Sequence, residues 1–198
     1  MCHLKIFDNF RLMKSLFDFI FALSLFIFIL PLFFILCFLV KLSSRGPIFH
    51  WSKRIGQNNI IFYMPKFRSM NINTPHVATD LLTNPHLHVT TIGSFLRKTS
   101  LDELPQLFCI INGSMSFVGP RPALYNQKKL IMKRSSLGID KLKPGITGFA
   151  QINGRDLLTD DEKIRLDFEY LKCQSFWFDI KILILTFFKI FHINEIVH

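Results

Sequence analysis

The chain opens on its longest apolar run. Between Lys14 and Lys41 the only formal charge is Asp18. The roughly 26 residues in between would run about 39 Å as a helix, enough to cross a bilayer. A cleaved leader peptide fits poorly, because the run is too long and no small-residue cleavage site follows it. Pro31 lies near its middle, where proline removes a backbone hydrogen bond and bends a helix. Cations stand on both flanks: Lys5, Arg11 and Lys14 before it, then Lys41, Arg45, Lys53 and Arg54 after it. A single spanning helix would put one cluster on the outer face, against the positive-inside preference, whereas a re-entrant hairpin would keep both inside. Yet proline is common in spanning helices, and carbonyls freed in lipid need partners. Ser15 and Ser24 carry hydroxyls, but neither adjoins Pro31. On these residues a transmembrane helix and a re-entrant helix-break-helix both stay open.

Beyond Gly46-Pro47 the pattern changes. Ile48, Phe49 and Trp51 read as a short strand or an interfacial segment, Gln57-Asn58-Asn59 as a turn, and Ile60 to Met64 as a short apolar strand. Residues 71–91 are rich in Asn, Thr, Pro and His and read as a surface loop or short helix. Lys128, Lys129, Lys133 and Arg134 mark a basic, helical stretch. Asp160 to Lys172 is helical in pattern, with Ile164, Phe168 and Leu171 along one face. Phe176 to Phe191 is strongly apolar but short for a span, and Lys181 and Lys189 interrupt it. It predicts a helix lying in the membrane interface or one packed into the core. The fold class is therefore α+β, mostly helical. It divides into a membrane element at residues 1–45 and a cytosolic, membrane-associated domain at 46–198, with interfacial amphipathic helices.

Composition narrows the partners. Lys and Arg total 24 against 14 Asp and Glu, a net charge of +10, while 23 of the 198 residues are Phe. Mean hydropathy is +0.31. Such a chain is too hydrophobic for an ordinary nucleic-acid binder and too charged for a bundle of spans. Attachment to an anionic membrane face suits both facts. A membrane-tethered nucleic-acid binder would need basic–aromatic recognition modules, which the chain lacks. The four cysteines (Cys2, Cys37, Cys109 and Cys173) are far apart and read as reduced packing thiols. The seven histidines show no zinc-ligand spacing.

The chemistry concentrates between Arg97 and Pro122. Arg97 and Lys98 lead into the adjacent carboxylates Asp102 and Glu103; an apolar run follows and ends on Gly119-Pro120-Arg121-Pro122. Ser100 and Glu103 have the spacing of a capping box, which predicts a helix start with both carboxylates in its first turn. Adjacent carboxylates repel, and a divalent cation or nearby arginines would relieve them. Read alone, the pair is also what an ordinary helix cap looks like. Lys66 and Arg68 flank Phe67 and would share one face of an extended chain, as a phosphate-facing pair or as a solvated strand face. The segment Lys143 to Asp156 carries three glycines and closes on Arg155, which suits a phosphate-binding turn. It fits neither the Walker A nor the dinucleotide-binding pattern.

Taken in order, the proline-centred apolar run, K-F-R-S-M at 66–70, T-S-L-D-E-L-P-Q-L at 99–107, V-G-P-R-P at 118–122 and K-P-G-I-T-G-F-A-Q-I-N-G-R at 143–155 resemble the bacterial sugar transferase family over nearly the whole chain. These are small monotopic phosphoglycosyl transferases, and the length suggests their minimal catalytic form. The resemblance implies transfer of a sugar phosphate from a UDP-sugar to undecaprenyl phosphate, releasing UMP, as the first step of a surface or protein glycan. It implies Asp102 as a nucleophile that carries the phosphosugar covalently and Glu103 as its helper, the two holding magnesium (Mg2+). It implies Arg97, Arg121 and Arg155 as phosphate ligands, joined by Lys66 and Arg68. It also implies a hairpin broken at Pro31 and seated on the cytosolic face of the bacterial inner membrane. Partners would be the UDP-sugar, undecaprenyl phosphate, membrane lipids and downstream glycosyltransferases, with no nucleic acid. The family usually has serine before the break, where Leu30 stands here. A catalytically inert membrane scaffold is the rival reading.

Overall fold

The computed structural model describes residues 2–72, 74, 88–154 and 157–191. Helix α1 runs from Cys2 to Ser43, and its Phe10–Ser43 portion is long and apolar enough to cross a membrane by length and composition. Pro31 lies inside α1 without interrupting it, so the expected division into two helices is not seen. Losing one amide donor leaves the neighbouring i→i−4 bonds to carry the helix on. Only 17% of the most apolar window of α1 is buried, so most of its hydrophobic surface faces away from the protein.

The buried stripe of α1 packs against the remainder of the chain along most of its length. Phe17 meets Phe176 edge-on at 5.2 Å between ring centroids, Phe26 meets Phe108 at 4.8 Å, and Phe33 meets Phe67 at 5.1 Å. Ala22 and Val40 are fully buried. Aromatic pairs at these distances add to the burial of their large apolar surfaces.

After α1 the chain forms an antiparallel hairpin, β1 (Phe49–Ile55) and β2 (Ile61–Phe67), in which Lys53 pairs with Tyr63 and His50 with Lys66. Asn58 and Asn59 take left-handed backbone angles in the turn, a conformation that asparagine tolerates better than most residues. The alternation puts His50, Ser52 and Arg54 on the same face as Phe62, Met64 and Lys66. Helix α2 (Thr91–Lys98) follows, capped by the Thr90 hydroxyl, which accepts from the Gly93 amide at 2.9 Å. A 3-10 turn at Leu101–Gln106 runs straight into α3 (Leu107–Ile111).

Strand β3 (Ser116–Val118) lies parallel to β4 (Gly145–Thr147), with α4 (Lys128–Ser136) in the crossover. The chain ends on α5 (Phe149–Ile152), α6 (Asp160–Cys173) and α7 (Phe176–Phe191). Ile164 is buried on α6, as its periodicity predicts. The apolar tail resolves into one two-faced helix. Ile182 and Asp179 of α7 are buried, whereas Trp177, Ile184, Phe187 and Phe188 are exposed. The main core gathers Met64, Leu107, Ile110, Phe117, Tyr170 and Ile182 against Ala22; a second joins Phe33, Leu36 and Val40 of α1 to Phe67 and Leu96. Most of 71–91, read above as a loop or short helix, lies outside the described residues.

Candidate active site

The capping box expected at Ser100 does not form. Ser100 sits in the left-handed region (φ 57°) and its hydroxyl caps nothing. An N-cap needs an extended backbone, and Ser100 is instead the reversal between α2 and the 3-10 turn. The reciprocal box is made elsewhere, at the start of α6: the Thr159 amide donates to Glu162 at 2.8 Å, and the Glu162 amide donates back to the Thr159 hydroxyl at 3.3 Å. Both carboxylates do fall in the first turn after Ser100, and because Glu103 is not spent on a cap it is available to the site.

Asp102 is 9% exposed. Burial holds its carboxyl above the ordinary carboxylate value and Glu103 adds to this, while Lys66, Arg97 and its own backbone amide pull the other way. The Lys66 ammonium donates to Glu103 Oε1 at 2.6 Å and stands 3.9 Å from Asp102 Oδ2. Arg121 Nη2 lies 3.8 Å from the same Glu103 oxygen. Thus β2, the 3-10 turn, the end of α2 and the Gly-Pro-Arg-Pro turn converge on one acidic pair. Of the residues read from sequence, Asp102, Glu103, Lys66, Arg97 and Arg121 come together.

Arg68 does not join them. β2 ends at Phe67, so the alternation that would align Arg68 with Lys66 stops there. Arg68 is buried instead, and its Nη2 donates to the Ser44 carbonyl at 2.7 Å and hydroxyl at 2.8 Å, tying down the turn after α1. Arg155 lies outside the described residues.

Two arginines that the motifs did not point to shape the site. Arg54 is half-buried on the Lys66 face of the hairpin and donates to the Pro122 carbonyl at 3.2 Å. Burial and the neighbouring Arg121 lower its guanidinium to about 10, against the pull of Glu103. Arg134 of α4 donates to the Arg121 carbonyl at 2.8 Å and to Asp167 at 2.6 Å. The backbone of Arg121 and Pro122 is therefore held from both sides. The hairpin register carried the signal for Arg54; nothing local marks Arg134 or Asp167.

The glycine-rich segment serves packing first. A Cβ on Gly145 would stand 2.2 Å from the Gly119 amide nitrogen, and one on Gly148 would stand 2.1 Å from the Gly119 carbonyl. The Gly145 amide donates to the Pro120 carbonyl, so it is not offered to an anion, and the Gly119 amide donates to the Thr147 carbonyl. The small residues let β3 and β4 meet where Arg121 begins. Gln151, in α5, has both polar ends of its carboxamide buried without a partner.

Among the described residues no three His, Cys, Asp or Glu side chains gather as a metal cluster. Mg2+ needs less protein than that, commonly one or two carboxylates with water and substrate phosphates. Asp102 and Glu103, side by side on one turn, fit that donor set.

An acidic pair among cations thus lies on a small helical domain that packs along an apolar helix long enough to cross a membrane. The chain belongs to the bacterial sugar transferase family, whose profile matches residues 9–193. It is 41% identical over 188 residues to the UDP-glucose:undecaprenyl-phosphate glucose-1-phosphate transferase of Xanthomonas campestris pv. campestris, covering 90% of this chain and 39% of that protein. The Escherichia coli (strain K12) protein of the same name is 39% identical over 186 residues, covering 90% and 40%. The undecaprenyl-phosphate galactose phosphotransferase of Salmonella typhimurium is 34% identical over 194 residues, covering 89% and 40%. The chain thus spans about two fifths of the length of these curated relatives.

Proposed function

We propose that this protein moves a sugar phosphate from a UDP-sugar to undecaprenyl phosphate and releases UMP, with Asp102 as the covalent carrier. An Asp102 carboxylate oxygen attacks the β-phosphorus of the donor. An O–P bond forms, the bond from that phosphorus to the bridging oxygen breaks, and the electron pair leaves with UMP. A phosphate oxygen of undecaprenyl phosphate then attacks the same phosphorus. The acyl-phosphate bond breaks, the carboxylate is restored, and the lipid leaves as a diphosphate-linked sugar. Phosphoryl transfer asks mainly for positioning and charge neutralisation. Lys66, Arg97 and Arg121 supply cations, with Arg155 as a further phosphate ligand. Glu103 holds Lys66 beside the nucleophile. Mg2+ held by Asp102 and Glu103 would add neutralisation of the diphosphate when bound.

The observation that carries this reading is the state of Asp102: buried among cations yet not hydrogen-bonded to Lys66, which Glu103 occupies instead. The names of the relatives support the donor and acceptor classes. The same reading seats α1 at the cytosolic face of the inner membrane. The domain touches α1 at Lys14, Phe17, Ala22, Phe26, Phe33, Leu36 and Val40, leaving no clear stretch of the roughly 20 residues that a span needs. Products would pass to downstream glycosyltransferases. A screen of UMP release over several UDP-sugars, with undecaprenyl phosphate and Mg2+, tests the reading. At least one donor should release UMP, and Asp102→Asn should abolish it; equal release by the variant removes Asp102 from the mechanism.

A further inference from the structure

A cavity of about 70 Å³ opens where the first turns of α1 meet the segment after α4. Lys66, Asp102, Glu103 and Arg121 take no part in its lining. Arg11, Lys14, Lys141 and Lys143 all face it, with Asp18 as the one carboxylate. Lys14 is already matched: it pairs with Asp179 and donates to the Val118 carbonyl at 3.0 Å. Arg11, Lys141 and Lys143 have no carboxylate within ion-pair distance among the described residues. Among the described residues Lys143 donates to the neutral Ser15 hydroxyl, at 3.2 Å. Cations brought together from sequence positions so far apart repel one another unless an anion joins them.

The position of the cavity says which anion. Arg11 and Lys14 stand just ahead of the apolar run of α1. One turn on, Phe17 packs against Phe176, whose neighbour Trp177 is 79% exposed. Cations beside exposed aromatics mark the boundary between lipid tails and water, where phospholipid phosphates lie.

We propose that this cavity binds the phosphodiester headgroup of an anionic phospholipid from the surrounding leaflet, with Arg11, Lys141 and Lys143 donating to its oxygens and Ser15 steadying Lys143. The site is separate from the Asp102–Glu103 cluster, and the proposal rests on α1 lying in the membrane. It would fix the depth at which the domain sits.

The test reconstitutes the full chain into nanodiscs of mixed phosphatidylglycerol and phosphatidylcholine and counts retained lipids by native mass spectrometry. The wild-type protein should retain phosphatidylglycerol in preference to phosphatidylcholine. Arg11→Gln/Lys141→Gln/Lys143→Gln should lower that preference about a hundredfold, because it removes all three proposed donors. Lys141→Gln alone, at an exposed side chain, should lower it in part and covers a misfolded triple variant. Lys128→Gln/Lys129→Gln removes charge on α4 and should leave the preference intact. Wild-type retention by the triple variant overturns the proposal. So does loss of the lipid to inorganic phosphate alone, which would make this a free-phosphate site. A chain that fails to enter nanodiscs overturns the membrane reading with it. Absent UMP release would sink the proposed reaction but leave lipid retention unchanged.

Discussion

Two buried charged clusters hold this protein together in opposite ways. In the first, Lys14 of α1 pairs with Asp179 of α7, and the other Asp179 oxygen accepts from the Tyr170 hydroxyl at 2.6 Å. Burial and the Asp179 carboxylate hold the Tyr170 phenol far above its ordinary range, so it stays a donor. Each principal group has a close partner. In the second, Lys66 is committed to Glu103, while Asp102 keeps its distance at 3.9 Å and Arg121 approaches Glu103 only to 3.8 Å. The first cluster is closed and fastens α1 to the domain. The second keeps one desolvated carboxylate beside cations without quenching it, which is what a nucleophile for a diphosphate requires. Similar residue types thus serve cohesion or chemistry according to how completely they are paired.

Exchanging one carboxylate for an amide in each cluster tests this contrast most severely. Asp102→Asn should cut turnover by about four orders of magnitude or more, as loss of a nucleophile does. It should leave the thermal midpoint unchanged or raised, because a costly buried charge is gone. Asp179→Asn should do the reverse. It removes the ion-pair partner of Lys14, which keeps its bond to the Val118 carbonyl, and should cost about 1–3 kcal/mol in denaturant unfolding in detergent, with turnover per folded molecule close to wild type. Equal losses of stability in the two variants would erase the distinction.

Next in size is Lys66→Met. Removing this cation should lower kcat/KM about a hundredfold. It should also move the acid limb of the pH profile upward, since Lys66 opposes the burial that raises the Asp102 carboxyl. The ionised form attacks, so a higher value demands a higher pH. An unmoved limb would mean that Asp102 is not the titrating group. Smaller still is Arg54→Gln, which frees the Pro122 carbonyl and should cost about tenfold in turnover through a misplaced Arg121. A variant as active as wild type would show that the turn holds Arg121 without it.

Local signals in the chain revealed what they physically could. The apolar run, the hairpin strand, the helix at Asp160 and the acidic pair were all legible, because periodicity and adjacency are local properties. The motifs also singled out Lys66, Arg97 and Arg121, which the fold brings to that pair, and Arg68, which it does not. What stayed hidden depends on tertiary register. Arg54 reaches the site only because its strand pairs with β2 in one particular alignment. Arg134 and Asp167 lie 33 positions apart and meet only when α4 packs on α6. Gly145, read as part of a phosphate-binding turn, makes room for strand contact with Gly119, since sequence shows a missing side chain but not what fills the space. The capping pattern at Ser100 was real as spacing and void as geometry, because one left-handed residue redirects the chain.

The most direct measurement is intact-protein and peptide mass spectrometry after incubation with a UDP-sugar donor and Mg2+, with acceptor left out. The account predicts one added phosphosugar, located on the peptide containing Asp102, appearing with release of UMP and disappearing when undecaprenyl phosphate is supplied. Release of UMP with no adduct at residue 102, or sustained turnover by Asp102→Asn, would contradict it.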